Sequence, residues 1–158
     1  MLALRVLRDL LLLPGNVAGL VPWLIARSWS SATFDAGAAR IGGGVALAGA
    51  AGMLAWGVRD FARSGRGTPA PWDAPRELVA SGPYRFVRNP MYVAVLCALG
   101  GEVLLYENWA VAIYAACVAL VFHSSVVFYE EPHLRGVFGE SYRRYCAAVP
   151  RWIPRRPR

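Results

Sequence analysis

The chain contains no lysine: all 17 of its basic residues are arginine. Cysteine is equally sparse. Cys97, Cys117 and Cys146 are odd in number and unrelated in spacing, which argues against a zinc cluster and against a disulfide framework. Two of the three lie in apolar runs, where a small buried side chain is expected. No G-x-S-x-G, no H-E-x-x-H and no phosphate-binding P-loop occurs, so the chemistries those motifs serve are set aside. What remains open to an enzyme is group transfer from a small activated donor, which chiefly needs a pocket that aligns donor and acceptor. Polar surface is scarce too. Of the 158 residues, 56% are hydrophobic and the mean hydropathy is +0.37, too apolar for a typical soluble domain of this length. The net charge of +7 comes from arginines set between apolar runs, a pattern that suits a membrane surface and not a nucleic acid. The length allows one domain, residues 1–158.

Four apolar stretches can be distinguished. Residues 7–26 are interrupted by Pro14-Gly15 and Pro22, which fits either a kinked span or a re-entrant hairpin. A cleaved signal peptide is disfavoured there, because Pro22, Trp23 and Arg27 make no small-residue cleavage site. Residues 41–58 are rich in glycine and alanine, which lets helices approach closely in lipid. Residues 91–106 and 109–129 would reach roughly 24 and 32 Å as helices, and only Glu107 and Asn108 separate them, so a tight hairpin is expected. The arginines cluster before the first stretch, between the second and third, and after the fourth; only Arg27 and Arg40 fall on the other side. With four spans all three clusters share one face, which the positive-inside rule makes cytoplasmic. The fold class expected is all-α: a bundle of about four transmembrane helices with a cytoplasmic amphipathic tail, in the inner membrane of a bacterium. Almost nothing is left for the opposite face.

In the tail, Leu134, Val137, Phe138, Tyr142 and Tyr145 recur at helical spacing, with Gly139 placed to break the helix. Glu130 and Glu131 stand where the fourth stretch ends. Adjacent helical residues point about 100° apart, so one of the two at most is expected to face the interior. An interfacial stop signal and a functional carboxylate are equally good readings of the pair. His123, seven residues before Glu130, falls on nearly the same face and reads as a hydrogen-bonded core residue. Glu102 reads as snorkelling to the far interface beside Tyr106, and Gly100-Gly101 as a close helix contact.

"ELVASGPYRFVRNPMY" and, one hairpin later, "EEPHLRGVFGESYRRYCAAVPRWIP" together resemble the isoprenylcysteine carboxyl methyltransferase and phospholipid N-methyltransferase superfamily. These are integral membrane enzymes that use S-adenosylmethionine. The resemblance covers residues 76–154 and depends on two motifs in the expected order. It implies cofactor contacts at Arg76, Glu77, Leu78, Val79, Tyr84, Asn89, Pro90, Met91, Tyr92 and Glu130, and catalytic roles for Arg88 and Glu131. It implies methyl transfer to a lipophilic acceptor (a lipid amine, a thiol or a carboxylate) at the cytoplasmic face. Three positions depart from the family pattern: Asn89 replaces a histidine, Ala94 a glycine, and Val126 the arginine of prenylcysteine-specific members. Asn89 hydrogen-bonds but cannot titrate near neutrality. The alternative is a non-catalytic accessory protein that kept the fold.

Overall fold

A computed structural model of the protein describes residues 11–31, 33–64 and 78–156, and within these the regular elements are all helical. A π-helical stretch, Leu11–Leu20, breaks at Ala18 and leads into α1 (Val21–Ser28), which opens with a proline in its first turn. Then come α2 (Ala39–Ser64), a 3-10 turn (Gly82–Arg85), α3 (Pro90–Tyr106), α4 (Trp109–Ser125), a π turn (Val126–Glu130) and α5 (Glu131–Ala148). Among the described residues two helical stretches, Ala39–Asp60 and the continuous run Trp109–Ala148, are long and apolar enough to cross a membrane; α3 is apolar but shorter, at 17 residues. The protein is a membrane protein. Its outer surface agrees: Ile41, Val45, Ile113, Leu120, Val121 and Phe128 all point outward. In water such a surface would be costly, whereas lipid tails solvate it.

The closest approach is between α2 and α3. A Cβ built on Gly43 would lie 2.7 Å from the Gly101 carbonyl oxygen, and one on Gly101 would lie 2.7 Å from that of Gly43. The two glycines therefore let the backbones touch, as expected for Gly101, while Gly100 faces open space. The expected hairpin is present. Glu107 ends α3 in the left-handed region (φ 50°), and the Asn108 side chain caps α4 by accepting from the amides of Ala110 and Val111.

Several expectations need correction. Cys97 and Cys117 are exposed, not buried, because in lipid an apolar position can face outward. Glu102 does not snorkel: it is only 5% exposed, and its Oε2 has no partner among the described residues. The far end is also not bare. Its loop folds onto the α3–α4 turn through a Thr33–Asn108 bridge, the Phe34 amide on the Glu107 carbonyl (2.8 Å), the Ala36 amide on Glu107 Oε1 (3.1 Å) and Asn108 Nδ2 on the Trp29 carbonyl (2.8 Å). Tyr114 Oη donates to the Val17 carbonyl (3.0 Å), tying the first apolar stretch to α4. Its residues before Leu11 lie outside those described.

Candidate functional site

The other end of the bundle gathers the 3-10 turn, the start of α3, the α4–α5 junction and the segment after α5. Gly82 opens the turn at φ 51°, a conformation that favours glycine, and a Cβ there would meet the Asp60 carboxylate within 2.6 Å. Asp60 Oδ2 in turn accepts from Ser81 Oγ (2.7 Å), so the end of α2 fixes the turn. Val79, Tyr84 and Met91 pack together beneath it.

Past α5 the chain becomes extended at Val149 and runs back along residues 86–89. The Arg88 amide donates to the Pro150 carbonyl (2.9 Å), Asn89 Nδ2 to the Arg151 carbonyl (3.1 Å) and the Arg155 amide to the Phe86 carbonyl (3.0 Å). Tyr145 Oη adds a bond to the Tyr84 carbonyl (2.8 Å). Burial raises the phenols of Tyr84, Tyr142 and Tyr145, so all three stay protonated across the physiological range.

Glu131 is the electrostatic centre. It is 3% exposed and takes a bidentate pair from Arg151 (Nε to Oε1 2.6 Å, Nη2 to Oε2 2.9 Å), with Arg88 Nη1 at 2.8 Å and Arg135 Nη2 at 3.2 Å. Burial alone would raise its pKa, but the Arg151 hydrogen bonds and the charges of Arg88, Arg151 and Arg135 outweigh that and hold the carboxyl below its usual range. Arg88 Nη1 also reaches Cys146 Sγ (3.0 Å). Its Nε is buried with no acceptor among the described residues. Beside this network, Glu130 Oε1 accepts from Tyr92 Oη, and the Tyr92 ring lies 4.5 Å from that of Phe122.

Glu131 is buried and Glu130 only half-buried, so one of the pair faces the interior as expected, yet Glu130 also finds a partner in Tyr92. Side chains about 100° apart meet different partners: Glu130 meets Tyr92 of α3, and Glu131 meets Arg88 and Arg151. His123 is exposed and does not share Glu130's surroundings; its Nδ1 accepts from Trp152 Nε1 of the tail (3.2 Å). The π turn between the two residues shifts the phase of the helix. Gly139, at φ 52°, interrupts α5 as expected. Val126 is buried, so the position of the family arginine points into the protein.

Of the expected site residues, Tyr84, Arg88, Asn89, Pro90, Met91, Tyr92, Glu130 and Glu131 lie at this end, with Val79 and Leu78 at its edge. Arg76 and Glu77 lie outside the described residues. Sequence reasoning missed Asp60, Arg151 and Trp152. Only the prolines flanking Arg151 and Trp152 hinted at a fixed segment after α5.

A family model for phospholipid methyltransferases matches residues 39–141. The chain is 38% identical over 78 residues to a protein-S-isoprenylcysteine O-methyltransferase from Schizosaccharomyces pombe, covering 49% of this chain and 33% of that one. It is 31% identical over 78 residues to a phosphatidylethanolamine N-methyltransferase from Aspergillus terreus (49% and 8% covered). It is 33% identical over 78 residues to a protein-S-isoprenylcysteine O-methyltransferase B from Arabidopsis thaliana (49% and 40% covered). The matched segment thus spans less than half the length of each of these relatives.

Proposed function

Because the chain belongs to the phospholipid methyltransferase family, we propose that it is an S-adenosylmethionine-dependent methyltransferase acting on a lipophilic acceptor at the cytoplasmic membrane face. The observation that carries this reading is the convergence of residues 84–92, 130–131 and 145–155 at one end of an apolar bundle.

The residues there fit such a donor. The N-cap of α3, Asn89, makes no side-chain cap hydrogen bond, so the first amides of that helix suit a carboxylate. Arg88 Nε is a buried donor still in need of an acceptor. Glu130, on Tyr92, is a carboxylate suited to an ammonium or to ribose hydroxyls. Tyr92, half-buried, offers aromatic surface to an adenine, with Tyr84 packed in the layer beneath. When bound, S-adenosylmethionine supplies an electrophilic methyl carbon for an in-line displacement. Glu131 holds Arg88 and Arg151, and through them the segment that closes over the site and excludes water. Arg88 binds; Glu131 positions.

Replacing Glu130 tests the site. Glu130→Gln removes a charge-assisted hydrogen bond worth roughly 1.5–3 kcal/mol, so donor affinity should fall by about tenfold to a hundredfold. Glu102 lies ten residues beyond Tyr92 on α3, ~15 Å at the helical rise, and Glu102→Gln should leave donor affinity unchanged. Equal affinities for wild type and Glu130→Gln would remove Glu130 from the site. Absence of saturable donor binding by the wild type would favour a non-catalytic membrane protein.

The acceptor is a membrane-soluble amine or thiol. Buried Val126 offers no cation to an acceptor carboxylate. Farnesylcysteine with a free carboxylate should therefore turn over poorly, and methyl-labelled donor with a total lipid extract should yield the true product. The orientation is tested at Cys146, which should react with an impermeant thiol reagent only once the membrane is opened. Labelling in intact cells would reverse it.

A further inference from the structure

The far end carries a cavity that the methyl-transfer reading does not use. It is an open groove of about 460 Å³ between the end of α1, the loop after it and the end of α3, lined by Trp23, Arg27, Ser30, Thr33, Leu105 and Tyr106, among others. We propose that this cavity is a second, non-catalytic site that holds the phosphate of a bilayer phospholipid.

Arg27 carries the argument. The other described far-side arginine, Arg40, pairs with Glu107 at 3.7 Å. Arg27 has no carboxylate partner among the described residues; its guanidinium instead lies 5.4 Å from the centre of the Trp23 ring. Stacking of this kind restrains a guanidinium by its face and leaves its N–H edge free, the edge that pairs with phosphate oxygens. The rest of the lining complements it. Ser30 and Thr33 contribute hydroxyls that make no side-chain hydrogen bond among the described residues. Asn108 is wall and not ligand, since its amide is spent on the Trp29 carbonyl and on capping α4. Glu107, the carboxylate next to Tyr106, is turned to the Ala36 amide and Arg40. A cation with spare hydroxyls and no facing carboxylate selects an anion. Trp23, Ala26 and Leu105 give the cavity an apolar wall for the glycerol and acyl portion. Tryptophan and tyrosine at a helix end are placed at headgroup depth, where a phosphodiester is the abundant anion.

This inference is independent of the donor site, and its test does not involve the donor. The full chain, purified in mild detergent, is titrated with phosphatidylglycerol, with diacylglycerol and with inorganic phosphate, and bound molecules are counted by native mass spectrometry. Phosphatidylglycerol should be retained, diacylglycerol should not compete, and inorganic phosphate at millimolar concentration should not displace it. Arg27→Gln should weaken retention by about tenfold or more, the scale of one lost charge-assisted pair, while Arg40→Gln should not. Thermal unfolding of the lipid-free variants separates loss of a site from loss of fold. Equal retention by Arg27→Gln, or equal retention of diacylglycerol, overturns the proposal. Displacement by inorganic phosphate would make this a free-phosphate site and also overturns it.

Discussion

At the site end, Glu131 meets arginines drawn from positions 88, 135 and 151, and three backbone or amide bonds stitch residues 86–89 to the segment after α5. At the far end, the loop after α1 is fastened by one capping asparagine, one glutamate and one largely exposed ion pair. The first arrangement buries charge and depends on residues distant in sequence. The second rests on the neutral amide of Asn108 and on one partly exposed carboxylate, Glu107, shared by the Ala36 amide and an exposed arginine. Burying an ionic network costs desolvation, and an apolar replacement of similar shape is often as stable. A network of that kind at one end only is therefore better understood as positioning than as a source of stability.

The contrast makes graded predictions for thermal unfolding in detergent. Glu131→Ala strands Arg88 and Arg151 without their carboxylate, and breaking a buried pair in this way costs about 3–5 kcal/mol. It should give the largest fall in melting temperature and raise the reactivity of Cys146 as its surroundings loosen. The same group sets an acid limit. Its folded pKa is depressed below the ordinary value of 4.5, so its contribution is complete above that pH and is lost as pH falls below it. Glu131→Gln should flatten the acid side of the stability profile. Gly101→Leu, at the 2.7 Å contact with Gly43, overfills a packed interface and should cost about 1–3 kcal/mol. Asn108→Ala loses the α4 cap and the bond to Trp29, about 0.5–2 kcal/mol. Arg40→Ala breaks an exposed pair and should change stability by about 1 kcal/mol at most. If Asn108→Ala proves as damaging as Glu131→Ala, the proposed difference between the two ends is wrong.

The same contrast governs how much was legible in the sequence. The hairpin at Glu107-Asn108, the close contact at Gly101 and the break at Gly139 all rest on local chemistry, and each stands in the structure where expected. The two motifs, far apart in sequence, come together at one end of the bundle. Inward and outward positions within the apolar helices were not legible. In water a polar face marks the outside, but in lipid both faces are apolar, so Cys97 and Cys117 looked like core while Glu102 looked like surface. Arg151 was hidden for another reason. It lies beyond α5, among residues with no periodicity, and its partner is 20 positions earlier.

The π turn at Val126–Glu130 has a consequence for how the chain can vary. One extra residue per turn sets the angle at which everything after it is presented. Deleting the extra residue there would let the helix run on as a regular spiral with the following side chains almost in place, whereas a deletion in the regular helix before it would swing them by about 100°. In the second case Glu130 would leave Tyr92 and Glu131 would leave its arginines, although every residue named in either motif would still be present. A one-residue deletion within this five-residue window should therefore be better tolerated than one within Trp109–Ser125.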